Sequence, residues 1–244
     1  MMPLFGRPDI MKLEQDRDTR GLIKALEHGD ESLRKEAMEA LERMGEDAVE
    51  PLINEFRKLS PTDPTVKLSW TIAEVLGKIG DPAIEPLIAA IREKHLGLRV
   101  NAALALGLIG EPAVNPLIKV LSDPDRNVGG LASVALARIG DPAVEPLIRA
   151  LTDANDNTRV CAAMALGDAA KQANDRRAIE PLRRALKDDN RWVRLHSAGA
   201  LTKIDPSETQ AIQLLKEAAQ DYSLDSSDDY RGIAASYLKE IPSA

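Results

Sequence analysis

A ten-residue motif recurs along the chain at nearly constant spacing, and it limits the folds that the chain can adopt. The copy at residues 79–88 reads Ile-Gly-Asp-Pro-Ala-Ile-Glu-Pro-Leu-Ile, and close copies occupy residues 44–53, 109–118 and 139–148. A degenerate copy ends at Leu182. The second proline of the motif recurs at intervals of 35, 30, 30 and 35 residues, at Pro51, Pro86, Pro116, Pro146 and Pro181. A period of about 30 residues is typical of solenoid proteins, in which each unit packs mainly on its neighbours.

Each repeat is predicted to contain two helices. The first begins near the recurring proline, because a helix tolerates proline in its first turn, where the missing N–H is not needed. The acidic residue that precedes this helix is favoured by the positive end of the helix dipole. The second helix is typified by residues 98–107, which read Leu-Arg-Val-Asn-Ala-Ala-Leu-Ala-Leu-Gly. This helix is expected to stop at the glycine of the next Gly-Asp-Pro.

Alanine and leucine dominate the composition, with 34 and 31 of the 244 residues, whereas two Phe, two Trp and three Tyr are the only aromatic residues. A β-sandwich or β-barrel needs many more β-branched and aromatic side chains. The hydrophobic content of 44% excludes general disorder. Alanine also lets neighbouring helices approach closely, so the composition predicts an all-α protein.

The repeated pattern Val-Arg-x-x-Ala-Ala-x-Ala-Leu-Gly-x-Ile-Gly-Asp-Pro-Ala-Val-Glu-Pro-Leu-Ile resembles the HEAT repeats of the phycobilisome-lyase (PBS-lyase) type. The resemblance covers roughly residues 18–241. It implies an α-α superhelix, a HEAT-repeat solenoid of about six helix-pair repeats with capped ends. The family includes bilin lyase subunits, deoxyhypusine hydroxylase and many scaffold proteins, so the resemblance indicates the fold more strongly than the function.

We therefore expect one solenoid at residues 18–241, preceded by an N-terminal extension at residues 1–17 that is partly flexible. After Asp205-Pro206 the motif is lost, and the following helices are interpreted as a C-terminal cap. The repeats are predicted near residues 18–45, 46–80, 81–110, 111–140, 141–177 and 178–205, with the cap at 206–241.

The second helices carry apolar residues on two sides. In the template at residues 98–109, Leu98, Ala102 and Leu106 fall on one stripe at the helical period and are expected to face the core. Val100 and Leu104 lie on the opposite side, which the family resemblance implies is the concave surface. A solvated surface should be polar, yet four consecutive repeats place apolar residues there. The candidate binding residues are Trp70, Val100, Asn101, Leu104, Leu108, Leu131, Val134, Val160, Met164, Trp192, Leu195 and His196.

Three interpretations of these residues stay open. The first is an apolar groove, rimmed by charges, for a partner helix, a peptide or a flat hydrophobic ligand. The second is ordinary core, buried where strong curvature brings helices together. The third is a contact between two copies of the chain, which makes a homo-oligomer the less favoured partner prediction.

The sequence predicts a non-enzymatic scaffold that binds another protein or a peptide on its concave face. The alternative is a bilin or tetrapyrrole lyase, or a chaperone that handles a chromophore or cofactor on the same face. Deoxyhypusine hydroxylase carries iron on paired His-Glu motifs, but none of His28, His95 and His196 is followed by glutamate. We accordingly predict no metal site, no cofactor and no catalytic residue.

Two further patterns mimic functional sites. Cys161 and His196 occupy the same position in consecutive repeats, and a Cys–His pair can be nucleophilic when the thiol pKa is lowered. A cysteine that serves as a small apolar residue is the favoured interpretation. The segment from Asp153 to Asn157 begins like a calcium loop but lacks the required later glycine and glutamate, so it is interpreted as a turn that caps a helix.

The bulk properties narrow the partners. The net charge of −7 disfavours binding to nucleic-acid phosphates. No apolar run approaches the length of about 20 residues that a membrane helix needs, and the start of the chain does not read as a signal peptide. A single cysteine excludes an internal disulfide. We expect a cytoplasmic protein that binds neither nucleic acid nor membrane.

Overall fold

The computed structural model describes residues 7–59, 66–221 and 229–242, and all regular elements in these ranges are helices. The chain divides into two compact units, Met1–Ala113 and Val114–Ala244. The first unit contains seven α-helices: α1 (Ile10–Gln15), α2 (Thr19–Ala25), α3 (Glu31–Met44), α4 (Glu46–Phe56), α5 (Val66–Ile79), α6 (Ile84–Arg92) and α7 (Leu96–Ile109).

The second unit contains eight α-helices in the same short–long alternation. They are α8 (Val114–Val120), α9 (Arg126–Ile139), α10 (Asp141–Ala150), α11 (Asp156–Ala173), α12 (Ile179–Ala185), α13 (Arg191–Ile204), α14 (Thr209–Ala219) and α15 (Tyr230–Glu240). Short 3-10 turns at Asp81–Ala83, Glu111–Ala113 and Arg176–Ala178 precede some of the first helices.

Helices pack as pairs, and the pairs stack through their second members. In the first unit the pairs are α2–α3, α4–α5 and α6–α7, and α5 lies along both α3 and α7. In the second unit the pairs are α8–α9, α10–α11, α12–α13 and α14–α15, and α11 lies between α9 and α13. The fold is an α-α solenoid, as the sequence predicted, and α14–α15 fall in the segment that was interpreted as a C-terminal cap.

The core consists mainly of the alanine and leucine residues of the motif. Leu98, Ala102 and Leu106 of the template helix are completely buried, as the helical period predicted. Burial of a leucine side chain contributes roughly 2 kcal/mol to folding, so the repeated stripe is the main source of stability.

The predicted N-terminal extension contains helix α1, which packs on α2 and α3. Its residue Ile10 is buried. The guanidinium of Arg43 on α3 donates two hydrogen bonds of 2.7 Å to the carboxylate of Glu14. These contacts tie α1 to the first helix pair.

Glycines at the start of the motif make the turns between repeats. Gly45, Gly80, Gly110 and Gly140 all have positive φ, from 55° to 83°, with ψ near −130°. Only glycine adopts this backbone conformation readily. In each turn the glycine carbonyl accepts a hydrogen bond from the alanine N–H three residues later, at 2.9 to 3.0 Å. The degenerate copy uses Asn174 in the left-handed conformation at the end of α11, a residue type that tolerates it.

The position of the recurring proline varies between first helices. Helices α6, α8 and α12 begin two residues before Pro86, Pro116 and Pro181, close to the predicted start. Helices α4 and α10 begin five residues earlier than Pro51 and Pro146, directly after the glycine turn. In these two helices the residues that form 3-10 turns elsewhere continue as regular α-helix.

An arginine near the start of the second helix closes the preceding turn in three of the repeats. The guanidinium of Arg159 donates to the carbonyls of Asp153 and Ala154, at 2.9 and 3.3 Å. Arg34 and Arg194 donate in the same way to the carbonyls five and six residues before them. Arg159 also donates to both carboxylate oxygens of Asp188, at 2.8 and 3.1 Å, and so joins consecutive repeats.

Two glycine-to-alanine substitutions test whether the turn needs glycine for its backbone conformation rather than for lack of space. A β-carbon at Gly110 would meet no atom within 4 Å, but the residue has a φ of 83°. We expect Gly110→Ala to lower the free energy of unfolding by about 1 to 2 kcal/mol. Gly130 is equally open but lies inside α9 with ordinary helical backbone. Gly130→Ala should raise the free energy of unfolding by up to about 1 kcal/mol. Urea unfolding measures both, and equal effects would contradict this account.

Candidate functional site

The twelve predicted binding residues fall in both units, and each unit is described by itself. Trp70, Val100, Asn101, Leu104 and Leu108 lie on α5 and α7 of the first unit, and the other seven lie on α9, α11 and α13 of the second. Five large apolar side chains are exposed in the part of the chain that the structure describes: Met11, Trp70, Leu96, Val100 and Val134. Three of these five were predicted binding residues.

The apolar surface of the first unit is called the N-terminal patch and comprises Trp70, Leu96, Val100, Leu104 and Leu108. The exposed fractions are 44% for Trp70, 65% for Leu96 and 41% for Val100, and the other two leucines are half-buried. Leu96, Val100, Leu104 and Leu108 follow one another at four-residue steps, so they share one face of α7.

Two contacts fix how α5 and α7 lie together beneath the N-terminal patch. The side chain of Asn101 donates a long hydrogen bond of 3.5 Å to the hydroxyl of Ser69, and both residues are buried. A β-carbon on Gly77 would lie 2.9 Å from the β-carbon of Leu108, so the helices approach there as closely as glycine permits. Asn101 therefore joins the two helices and does not contribute to the accessible surface.

The apolar surface of the second unit is called the C-terminal patch and comprises Leu131 and Val134 on α9 with Val160 and Met164 on α11. Val134 is 60% exposed, and the other three side chains are half-buried. The hydroxyl of Ser133 lies 3.0 Å from the carbonyls of Gly129 and Cys161 and so links the two helices. A β-carbon on Gly130 would meet no atom within 4 Å, which leaves the surface open beside Leu131.

The three predicted residues on α13 do not form an open groove. Leu195 and His196 are buried, and Trp192 is half-buried. Helix α15 lies against this face of α13. The rings of Trp192 and Tyr230 meet edge to face with centroids 5.1 Å apart. The expectation of an apolar concave surface is therefore wrong at Leu195 and His196, because the last helix pair covers them.

Tyr237 holds α15 on α13. Its hydroxyl lies 2.8 Å from Nδ1 of His196, and its ring passes so close to Gly199 that a β-carbon there would lie 2.5 Å from ring atoms. Burial raises the pKa of Tyr237 and lowers the pKa of His196 to about 4, with the nearby Lys203 adding to the effect on His196. At neutral pH a protonated tyrosine can therefore donate to an unprotonated imidazole.

Cys161 is placed as a small apolar residue. Burial raises the pKa of its thiol, and a β-carbon on Gly129 would lie 3.0 Å from its sulfur. The backbone carbonyl of Cys161 accepts a hydrogen bond from the hydroxyl of Ser133, whereas His196 bonds to Tyr237. A thiol with a raised pKa is a poor nucleophile, so the Cys–His alternative loses its chemical basis.

The segment that resembles a calcium loop caps a helix. The Asn155 side chain accepts hydrogen bonds from the N–H groups of Asn157 and Thr158, at 2.8 and 3.2 Å, at the start of α11. In the described ranges no three histidine, cysteine or carboxylate side chains cluster in a way that would hold a metal ion.

The candidate surface also includes a residue that the predicted set omitted. Leu96 is the most exposed of the apolar residues on α7, and it lies one helical turn before Val100. The four-residue spacing was visible in the sequence. The sequence placed Leu96 near the side of Val100 and Leu104, but it did not show how exposed this first residue of α7 is.

Two cavities among the described residues lie away from the two patches and are lined largely by charged and polar side chains. One of about 860 Å³ in the first unit involves α2 and α4, and its lining includes Arg17, Arg20 and Lys24. Another of about 460 Å³ in the second unit is lined by residues such as Arg159, Arg184 and Asp188.

No single helix among the described residues has the length and hydropathy to span a membrane. The pair Leu96–Ile109 and Glu111–Val120 meets that test only when its two segments are counted together.

The low pKa of His196 predicts how stability depends on pH. The unfolded chain protonates this imidazole near pH 6.5, whereas the folded chain does so only near pH 4. The unfolded state therefore binds more protons in this window, and the stabilisation present above pH 6.5 is lost as the pH falls. Between pH 7 and pH 4 the wild type should lose about 3 kcal/mol more unfolding free energy than His196→Gln.

Urea unfolding of both proteins at several pH values measures this difference. Since all other titrating groups are common to the two chains, their contribution cancels. Parallel pH curves for the wild type and His196→Gln would show that His196 is accessible to protons in the folded state.

Comparison with known proteins assigns the chain to a family. The model for HEAT repeats matches residues 19–99, 58–121, 84–153 and 144–239, which together cover nearly the whole chain. The comparison with curated proteins gives no match.

Solved structures of helical repeat proteins are similar at low identity. An engineered protein is 23% identical over 78% of this chain and 97% of its own length, with a TM-score of 0.32. A computationally designed armadillo repeat protein for modular peptide recognition is 17% identical over 93% and 98%, with a TM-score of 0.35. Human deoxyhypusine hydroxylase is 22% identical over 94% and 98%, with a TM-score of 0.34. On the repeat match and the observed helix pairs, the chain belongs to the HEAT-repeat family.

Proposed function

We propose that this HEAT-repeat protein is a non-enzymatic scaffold that binds a partner helix or an extended peptide on its second helices. The observation that carries the proposal is the placement of exposed apolar side chains. Trp70, Leu96, Val100 and Val134 lie on second helices, on the side away from the buried stripe. Isolated exposed apolar residues need no explanation, but apolar patches in register on neighbouring helices are typical of interaction sites.

The chemistry of the patches supports a binding role. Methionine adapts well to the surfaces of partner proteins, and tryptophan often contributes much of the binding energy at interfaces. The buried Cys161 and the neutral, buried His196 provide no reactive group at either patch. The net charge of −7 supports the further proposal that nucleic acid is not the ligand.

A tetrapyrrole ligand is the competing proposal, since the repeat pattern resembles the HEAT repeats of the PBS-lyase type. A flat chromophore usually requires an enclosed, largely apolar pocket. The cavities of about 860 and 460 Å³ are lined mainly by charged and polar side chains, and the apolar patches lie elsewhere. This arrangement favours a peptide over a bilin. A shift in the absorption of biliverdin on addition of the protein, lost in Trp70→Ala, would reverse the preference.

Selection from a displayed random-peptide library tests the scaffold proposal. We expect the wild type to enrich apolar peptides whose binding weakens at least about tenfold in Val100→Glu or Val134→Glu, because a buried unpaired carboxylate is costly. Both positions are exposed in the free protein, so the melting temperature should stay nearly unchanged. Leu104→Glu tests a half-buried position of the N-terminal patch. Biolayer interferometry gives the affinities.

Two controls make the result decisive. Ala89→Glu adds the same charge at an exposed position on the first helix α6 and should leave binding unchanged. Leu106→Glu changes a completely buried residue and should unfold the protein. If Val100→Glu and Val134→Glu also unfold the protein, the patches are core. If gel filtration shows that they dissociate a dimer, the patches are a homo-oligomer contact.

A further inference from the structure

The N-terminal patch has a carboxylate at its centre as well as apolar side chains. Glu74 follows Trp70 by one turn of α5 and is half-buried. Within residues 7–59, 66–221 and 229–242, Glu74 forms no ion pair within 4.0 Å. A half-buried carboxylate beside an exposed indole is a feature that an apolar ligand alone would not satisfy, because it would bury the charge without a partner.

A second carboxylate lies at the same level on the neighbouring helix. The ammonium group of Lys78 on α5 is 4.0 Å from the carboxylate of Glu42 on α3, so these two residues lie at about the same level on the two helices. One turn back along each helix brings Glu74 level with Glu39. The side chain of Glu39 is 47% exposed, and its own partner Lys35 is highly exposed at 4.0 Å, so this pair is weak.

The other side of Glu74 is aliphatic. The hydrogen bond between Asn101 and Ser69 places Val100 beside Trp70, and the next turn of each helix places Leu104 level with Glu74. From α3 through α5 to α7 the surface therefore changes from acidic to aromatic and then to aliphatic. A ligand that lies across these helices must present matching groups in that order.

We propose that the N-terminal patch binds a peptide in which one lysine or arginine adjoins apolar residues. The cationic group lies between Glu39 and Glu74 and against the indole of Trp70, where a carboxylate and a cation–π contact both favour it. The apolar neighbours cover Val100 and Leu104. This inference rests on the proposed scaffold function and adds the chemistry of the partner.

The basic residues around the N-terminal patch limit the ligand to one cationic side chain, next to Glu39 and Glu74. Lys67 lies one turn before Trp70 on α5, Lys78 lies one turn after Glu74, and Lys35 lies one turn before Glu39. A second basic side chain placed a turn away along the helices would meet one of these lysines and be repelled. The preferred ligand is therefore a single basic residue within an apolar segment, rather than a polybasic sequence.

Two fluorescein-labelled dodecapeptides test the inference. They share one apolar sequence with serine at both ends and differ only in a single central residue, lysine in one and glutamate in the other. Fluorescence anisotropy with the full chain should show that the lysine peptide binds about tenfold more tightly. The difference should shrink as the salt concentration rises, because the contact is partly exposed.

Substitutions then locate the cation. Glu74→Gln should weaken the lysine peptide about threefold to fivefold and leave the glutamate peptide no weaker. Trp70→Ala should weaken the lysine peptide about tenfold. The matched control Glu85→Gln, at an exposed position on α6, should change neither peptide. Thermal unfolding confirms that each variant is folded, since all three positions are at least partly exposed.

The outcomes separate this inference from the function on which it rests. If both peptides bind equally and both lose affinity in Val100→Glu, the patch is an interaction site but its preference for a basic residue is refuted. If Glu74→Gln changes nothing while the lysine peptide is preferred, the cation binds elsewhere and the assignment to Glu74 fails. If Val100→Glu affects neither peptide, the scaffold function of this patch fails as well.

Discussion

The second helices of each unit meet at points where no side chain fits between their backbones. A β-carbon on Gly167 would lie 2.7 Å from the α-carbon of Ala200, and one on Gly77 would lie 2.9 Å from the β-carbon of Leu108. Since one helix must contribute a glycine at each of these crossing points, its larger side chains turn either towards the first helices or outwards. The first group forms the core and the second forms the two patches, so one packing constraint produces both the stability and the exposed apolar surface.

Much of the fold could be predicted because the residues of the motif have local structural roles that their type and spacing reveal. The glycines mark turns with positive φ, and the alanine–leucine stripe marks the buried side of each second helix. The role of Arg34, Arg159 and Arg194 was not predicted, although the three arginines occupy the same position of their repeats. Their carbonyl partners belong to a turn whose shape is known only when the two helices are placed.

The candidate site was harder to predict. The helical period shows on which side of a helix a side chain lies, but it does not show whether that side chain is exposed. The period correctly places Val100 and Leu104 opposite the buried stripe, yet their solvent accessibility depends on which side chains of neighbouring helices pack against them. At Leu195 and His196 the prediction of an open surface failed. The segment after Asp205 lacks the motif, so nothing in the sequence placed Tyr237 against them.

Helix α11 breaks the regularity of the second unit. It has 18 residues, whereas α9 and α13 have 14 each, and its additional turn extends about 6 Å further and brings Gln172 against the turn at Gly140. Along identical repeats, a ligand with a periodic sequence can slide by one repeat at little cost in energy. One longer helix makes the positions on either side of it inequivalent, so a ligand bound there as proposed would be limited to a single register.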